Sequence, residues 1–170
     1  MTSPLDSGNR WAVLGVAVVM SGMVSLIADR APALALVNES PSLPKGLYWR
    51  RPGVAPGPGA IVALAQPSSA RPYLGGLGMP SEVLLIKRVV AVGGDPVCRV
   101  GDRVLARRRV LHVRTQDRAG TALPGWTDCR RLAADELFLA GDTASSFDSR
   151  YFGPVRRSAI VGVYSEGVTW

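Results

Sequence analysis

Two serines form the part of this sequence most able to do chemistry. Ser40 and Ser42 are two residues apart in the segment NESPSLPKGLY, residues 38–48. Pro41 and Pro44 fix their own φ and bias the residue before each towards extended backbone, so the segment is stiff. A small hydroxyl side chain on a stiff, tightly turned backbone is suited to nucleophilic attack, but the same pattern is typical of a surface loop. The segment alone leaves both interpretations open.

A serine nucleophile needs a base, and the sequence contains few. The one histidine, His112, lies in the apolar run VLHV and is interpreted as a strand residue. The other route is a lysine that burial keeps neutral by lowering its pKa. The chain has 18 Arg but only two Lys. Lys45, in a Pro-Lys-Gly turn, is expected to stay hydrated and charged, whereas Lys87 lies in an apolar run and is the candidate base; a salt-bridged or snorkelling Lys87 is the alternative.

The run VLLIKRVVAV, residues 83–92, is the strongest strand signal, because it is apolar, β-branched and followed by Gly-Gly-Asp. Neighbouring strand residues point to opposite faces, so either Lys87 or Arg88 faces inward. The 19 Gly and 13 Pro favour a mainly β fold. Further strands are predicted at 61–65, 97–104 (a hairpin), 110–113, 137–140 and 159–164, with irregular segments at 66–80 and 115–131.

The composition is that of a folded domain with an appendage: 170 residues, 47% hydrophobic and 19% charged. The net charge of +7 comes mostly from arginine, but the longest cluster, residues 107–109, has no interleaved aromatic residues, so no nucleic acid is expected as a partner. Two cysteines and one histidine are too scattered for a zinc site, and no cofactor is expected. Cys98 and Cys129 form the only candidate disulfide, which we expect to be bridged if the domain lies outside the cytoplasmic membrane.

The amino-terminal region contains an apolar run, WAVLGVAVVMSGMVSLIA, residues 11–28, without a charged residue. Eighteen residues are near the lower limit for a helix that crosses a bilayer. A cleaved signal peptide is the alternative, because small residues follow at 31–33. The run exceeds a typical signal-peptide core, so we predict a retained anchor within residues 1–30 and a single domain over residues 31–170.

Three segments, in this order, resemble the bacterial signal peptidase family that uses a Ser/Lys dyad. SPSLPKGLY at 40–48 resembles the family's nucleophile segment, with Ser42 at the position of the catalytic serine. IKRVVAVGGD at 86–95 is similar to its lysine strand and Gly-Asp turn. GDTASSFDSRYFGPV at 141–155 looks like its Gly-Asp and Ser-x-Asp-Ser-Arg segment and is the most specific of the three.

Two departures refine the resemblance. The family pattern Ser-Met-x-Pro has its proline three residues after the serine, but here Pro44 is two residues after Ser42 and Lys-Gly-Leu-Tyr follows. This form resembles the TraF branch, peptidases of conjugative transfer systems that mature pilin precursors and in some cases cyclise them. In addition, Thr143 and Ala144 stand where the family commonly has Asn-Arg, so the support of that turn is expected to differ.

The resemblance implies roles for the residues nearest the chemistry. Ser42 would be the nucleophile, and Lys87 the general base that later gives its proton to the leaving amine. The Ser42 backbone N–H would bind the tetrahedral oxyanion, with the Ser40 hydroxyl as a second donor.

The third segment would support this centre. Ser146 would donate a hydrogen bond to the lysine or accept one from it, and so orient it. Asp148 and Arg150 would form an ion pair that shapes the site, with Asp148 sometimes treated as catalytic in the TraF branch. Asp142 would be structural.

The resemblance also implies a setting. It predicts a mainly β, barrel-like domain behind one transmembrane helix of the bacterial cytoplasmic membrane, on the periplasmic side. The substrate would be a membrane-inserted precursor, a conjugative prepilin, cut after small residues in a shallow apolar cleft, with water or the substrate's own amino terminus taking the acyl group. The alternatives are a general signal peptidase I and a non-enzymatic membrane-anchored component of a transfer or secretion complex. A cytosolic self-cleaving Ser/Lys repressor would instead carry a helix-turn-helix domain where the apolar run stands.

Overall fold

A computed structural model of the chain describes residues 13–16 and 32–170. The chain divides into two units, Met1–Ala33 and Leu34–Trp170. Residues 13–16 are helical, and the rest of the predicted 11–28 anchor lies outside the described residues. Within those residues, no helix has both the length and the apolar character needed to cross a bilayer.

The second unit is mainly β, as the sequence predicted. In the described part of the chain it contains eleven strands, two short helices and a 3-10 turn at Arg157–Ala159. The strands are β1 (Ala35–Asn38), β2 (Gly46–Arg50), β3 (Ile61–Leu64), β4 (Leu85–Val92), β5 (Pro96–Val100), β6 (Arg103–Ala106), β7 (Arg109–His112), β8 (Cys129–Arg131), β9 (Glu136–Ala140), β10 (Val155–Arg156) and β11 (Ile160–Thr169). The helices are α1 (Arg71–Gly76) and α2 (Ser149–Phe152).

The strands form two antiparallel sheets. The larger has the order β1-β2-β11-β3-β4-β9-β10 and the smaller the order β7-β6-β5-β8. β4, which carries Lys87, leads through a short turn into β5 and so connects the two sheets along the chain. β1 and β10 are opposite ends of the larger sheet and are not hydrogen-bonded to each other. The domain predicted to be barrel-like therefore consists of two sheets, and hydrogen bonds between strands do not close the larger sheet into a barrel.

The central strands are buried on both faces. In β9, Leu137 and Leu139 join one apolar cluster, while Phe138 and Ala140 join another. This two-residue alternation follows from strand geometry, and because both faces are covered the strand reads as a continuous apolar run. Each fully buried Leu or Phe side chain contributes about 1.5–3 kcal/mol to the free energy of unfolding. Such a scaffold gives β4 and β9 the rigidity to hold polar groups in place.

Two segments predicted to be irregular contain regular structure. The 66–80 segment includes α1, which begins with Pro72 in its first turn, where proline's missing N–H has no intrahelical partner to lose. The buried side chain of Leu74 ties α1 to the core. The 115–131 segment ends in β8, whose residues are exposed and so lack an apolar pattern. Cys98 and Cys129 face each other across β5 and β8 and are joined by a disulfide.

Candidate active site

The serine segment is the loop of a β-hairpin between β1 and β2, and Asn38 organises it. Asn38 Nδ2 donates to the carbonyl oxygens of Ser40, Leu43 and Pro44, each at 3.0 Å. Asn38 Oδ1 accepts from Ser40 N at 3.2 Å and from Ser40 Oγ at 2.8 Å. Asparagine side chains commonly bond nearby backbone in this way. No role was predicted for Asn38, although an Asn at the start of a Pro-rich turn is a recognisable signal for such bonds.

Ser42 and Lys87 are in contact although they are 45 residues apart. Lys87 Nζ lies 3.0 Å from Ser42 Oγ and donates to it in the charged form. Ser40 Oγ lies 2.7 Å from Ser42 Oγ on the same side of the loop. Ser42 and Lys87 are only 4% and 5% exposed, whereas Lys45 is exposed. The structure thus brings together the three residues that the sequence placed nearest the chemistry.

The buried position changes the protonation of Lys87. Burial lowers the pKa of Lys87 from 10.5 to about 8; the nearby Asp148 charge opposes this shift, and the Arg150 charge adds to it. About a tenth of the amines are then neutral at pH 7 and about half at pH 8. A neutral amine has a lone pair, so the same 3.0 Å contact can carry the Ser42 proton to Lys87. The pair is therefore poised for proton transfer near neutral pH.

Ser146 does not make the predicted hydrogen bond to Lys87. Its Oγ is buried and has no hydrogen-bond partner among the described residues. It lies instead against Gly141, where an added Cβ would overlap the Ser146 side chain and come within 2.7 Å of the Ser42 carbonyl oxygen. Gly141 therefore allows the Ser146 loop and the serine loop to approach each other closely, a requirement that the sequence motif did not reveal.

The predicted ion pair between Asp148 and Arg150 is confirmed. Arg150 Nε and Nη2 donate to the two Asp148 oxygens at 2.8 and 2.7 Å, and both residues are at most 2% exposed. Asp148 also accepts from Gly141 N at 2.9 Å. Arg150 donates further to the carbonyl oxygens of His112, Thr143, Ala144 and Ser146. These contacts hold the 141–150 loop together; within the described residues, Asp148 makes no hydrogen bond to Ser42 or Lys87.

Asp142 holds the serine loop through its backbone. Its backbone N–H donates to the Ser42 carbonyl oxygen at 2.6 Å. Its carboxylate accepts from Arg88 Nε at 3.0 Å and Nη2 at 2.8 Å, and Arg88 Nη2 also contacts Glu166 at 3.1 Å. Alternation predicted that one of these two neighbours faces inward; in the structure it is Lys87, and the more exposed Arg88 points away from it to make this network. The position of Asp142 fits the structural role predicted for it, whereas the contact with Glu166 was not predicted.

A cleft of about 570 Å³ opens beside the reactive groups, which lie along its wall. Apart from Ser40, Ser42 and Lys87, its lining is largely apolar and includes Leu36, Leu74, Leu77, Met79, Leu84, Leu85, Ile86 and Phe147. Such a cleft suits an extended peptide with apolar or small side chains. The carbonyl carbon of a peptide bound there would lie beside the Ser42 hydroxyl, the amine of Lys87 and the Ser40 hydroxyl. In the part of the chain that the structure describes, no cluster of His, Cys, Asp and Glu side chains suits a metal ion.

Comparison with known proteins places these segments in context. Residues 9–169 match the model of the family described as signal peptidase, peptidase S26. The chain is 33% identical over 172 residues to a plasmid transfer protein TraF of Escherichia coli, covering 92% of this chain and 96% of that protein. It is 31% identical over 100 residues to signal peptidase I V of Bacillus subtilis, covering 51% of this chain and 59% of that protein. A solved signal peptidase I of Enterococcus faecalis is 20% identical, with a TM-score of 0.41 and coverage of 65% of this chain and 97% of that one.

Proposed function

This chain belongs to the signal peptidase family, peptidase S26, and we propose that it is an endopeptidase that cleaves an exported precursor with Ser42 and Lys87. Its TraF homologues, 33% identical over most of the chain, favour a precursor of a conjugative transfer system, a prepilin. The Ser-x-Pro-x-Gly-Leu-Tyr form of the nucleophile segment supports the same substrate.

The contact between Lys87 Nζ and Ser42 Oγ carries the proposal. Burying a lysine is unfavourable because its charged amine loses its hydration. Here the only hydrogen bond of Nζ within the described residues is to the hydroxyl of Ser42, which lines a cleft. Burial and charge shift the pKa of Lys87 to about 8, the range that a general base needs. A solvated structural lysine would have neither property.

In acylation, neutral Lys87 takes the hydroxyl proton while Ser42 Oγ forms a bond to the carbonyl carbon of the scissile peptide. The carbonyl oxygen becomes an oxyanion that accepts from the Ser42 backbone N–H and from the Ser40 hydroxyl, which turns from Asn38 towards it. Lys87 then gives its proton to the departing nitrogen as the carbon–nitrogen bond breaks, leaving an ester on Ser42.

In deacylation, neutral Lys87 serves again as base. A water molecule, or an amino terminus of the substrate, gives a proton to Lys87 and attacks the ester carbon, and the proton returns to Ser42 Oγ. Water yields a free carboxylate, whereas an amino terminus yields a cyclic peptide. Both outcomes use the same residues, so the ratio of products depends on which nucleophile reaches the cleft.

We place the enzyme in the bacterial cytoplasmic membrane, with the peptidase domain on the periplasmic side and residues 11–28 as its anchor. The uncharged apolar run supports the anchor. The disulfide between Cys98 and Cys129 supports an oxidising compartment, because disulfides persist there and are rare in the cytosol.

The test is precursor processing by the full chain and its variants, followed by immunoblotting of the transfer-system prepilin. We expect Ser42→Ala and Lys87→Ala each to abolish processing while circular dichroism shows a folded protein. Lys45→Ala is the matched control, because that lysine is exposed, and it should process normally. Processing that persists in either dyad variant would show that another pair of groups does the chemistry.

Two alternatives have their own discriminating results. A general signal peptidase would, on deletion, impair secretion of many proteins, whereas a transfer peptidase would impair pilus formation alone. A non-enzymatic component of the transfer complex would leave Ser42 dispensable, and the Ser42→Ala variant would then support normal transfer.

A further inference from the structure

A second cavity, of about 330 Å³, adjoins the cleft that holds the reactive groups. The two share a wall formed by Pro41, Tyr73, Leu77, Ser145, Ser146 and Phe147. Neither Ser42 nor Lys87 lines the second cavity, although Pro41, the neighbour of Ser42, does. Because the cleft and the cavity share this wall, a peptide bound across Ser42 can extend from the cleft into the cavity.

The outer wall of this cavity is an ordered loop, residues 114–123. Asp117 Oδ1 accepts from the backbone N–H groups of Ala119 and Thr121 at 2.8 and 2.9 Å. Asp117 Oδ2 accepts from the Tyr73 hydroxyl of α1 at 3.0 Å. Leu123 N donates to the Thr115 carbonyl oxygen and closes the loop. These bonds fix the shape of the wall and occupy both oxygens of the Asp117 carboxylate.

Two arginines on this loop have, among the described residues, no partner that balances their charge. Arg114 and Arg118 line the cavity and are exposed. Across the described ranges, neither guanidinium makes an ion pair or a hydrogen bond; Arg114 uses only its backbone N–H, which donates to the Tyr151 hydroxyl. Asp117 supplies the one carboxylate among the described lining residues, so these three residues carry a formal charge of +1. The guanidinium groups remain available for a ligand.

We propose that this cavity binds the part of the substrate that follows the scissile bond, and that Arg114 and Arg118 select a carboxylate there. The inference rests on the proposed peptidase function. The apolar cleft beside Ser42 and Lys87 suits the small residues before the cut, so the adjoining basic cavity is left for the leaving peptide. The carboxylate is either an acidic side chain or the carboxyl terminus of a short leaving segment.

The chemistry of arginine sets the size of the effect. A guanidinium binds a carboxylate through two parallel N–H donors, which favours this anion over a neutral amide of the same shape. Exposed pairs of this kind each favour association by a factor of about two to five, so two of them give about 5–20-fold in kcat/KM. The preference should weaken at high salt, because the groups are solvent-exposed.

The experiment measures kcat/KM of the full chain on synthetic peptides with alanine before the cut. The first series compares Glu with Gln at each of the first four positions after the cut, in peptides whose carboxyl terminus is amidated. A second series has only Gln in those positions and ends in a free carboxylate or an amide. We expect a 5–20-fold preference for the carboxylate in one series, which identifies its source, and a ratio near one for the double variant Arg114→Gln, Arg118→Gln.

The double variant Arg108→Gln, Arg109→Gln is the matched control, because it removes the same charge from residues outside this cavity. It should keep the wild-type ratio. A ratio near one for the wild type in both series would overturn the inference, as would a ratio that survives in the Arg114 and Arg118 variant. Cleavage of the Gln peptides by wild type but not by Ser42→Ala checks the proposed function separately. If wild type does not cleave these peptides, the proposed function is refuted, and the inference that rests on it is refuted as well.

Discussion

Replacing Lys87 by methionine should make this protein more stable at pH 7 while it abolishes activity. Methionine has a similar length without the amine, so it fills the same space in β4. The pKa of Lys87 falls from 10.5 in water to about 8 in the folded protein. The difference of about 2.5 pKa units corresponds to about 3 kcal/mol, by which the folded state disfavours the charged amine. Loss of the contact with Ser42 offsets part of this gain, so we expect the free energy of unfolding to rise by about 2–3 kcal/mol in Lys87→Met.

The sign of this effect follows from proton binding. Below pH 8 the amine is protonated in both the folded and the unfolded chain, so the full penalty is present. Between pH 8 and 10.5 the unfolded chain binds more protons, and the free energy of unfolding of the wild type therefore rises with pH. Above pH 10.5 the amine is neutral in both states and the penalty disappears. The stability difference between Lys87→Met and wild type should shrink from about 2–3 kcal/mol to near zero or below across this window.

Urea unfolding, followed by the fluorescence of the four tryptophans, measures this difference at several pH values from 7 to 10.5. Comparing variant with wild type at each pH cancels groups that titrate in both. Lys45→Met is the control, because it removes an exposed amine, and its stability should follow the wild type throughout. A Lys87→Met protein no more stable than wild type at pH 7, or a difference independent of pH, would refute the account of a desolvated lysine.

The same pKa predicts the pH dependence of catalysis. In the proposed mechanism only neutral Lys87 can take the Ser42 proton, so kcat/KM should rise about tenfold from pH 7 to pH 9 and level off above the pKa of about 8. The profile of the wild type is measured with one peptide substrate over this range. A flat profile would mean that the protonation of this lysine does not limit the reaction.

Three further perturbations test the supporting structure. Gly141→Ala places a Cβ against Ser146, so we expect a loss of at least about 100-fold in kcat/KM and of about 1–3 kcal/mol in unfolding free energy; unchanged kinetics would contradict the close approach. Asp148→Asn leaves the buried charge of Arg150 uncompensated and should lower the unfolding free energy by about 3–5 kcal/mol in urea titrations. Reduction of the disulfide, which spans 31 residues, should lower the unfolding free energy by about 3–4 kcal/mol. An unshifted urea midpoint under reducing conditions would contradict a stabilising bridge.

Several features of the fold could be read from local sequence. The lysine strand, the hairpin of β5 and β6, and β9 were predicted because their apolar side chains are continuous or alternate and their ends carry Gly or Asp. The short helix α1 and the exposed strand β8 were not, since Gly-rich and charged residues give no periodic signal there. Those two elements depend on packing and on pairing with residues distant in the chain.

Residue types determined the choice of chemistry. With two lysines and one histidine in the chain, an activated serine had few possible bases, and only Lys87 lay in an apolar strand that would bury it. Burial shifts an amine pKa whatever the fold, so a candidate base could be named without coordinates. The Asp148–Arg150 pair was likewise inferred from the segment that resembles the family, and both side chains are adjacent in the fold.

The tertiary structure alone decided how these groups meet. The 3.0 Å contact between Ser42 and Lys87 joins a hairpin loop to a central strand, and no local spacing encodes a distance between elements 45 residues apart. The same holds for Asn38, whose five hydrogen bonds shape the loop, and for Ser146, whose hydroxyl lies against Gly141 and not on the lysine. Sequence pattern sets which residues are buried and which can react, because these follow from residue type and periodicity. Packing between sheets sets their angles and separations, because it depends on every side chain between them.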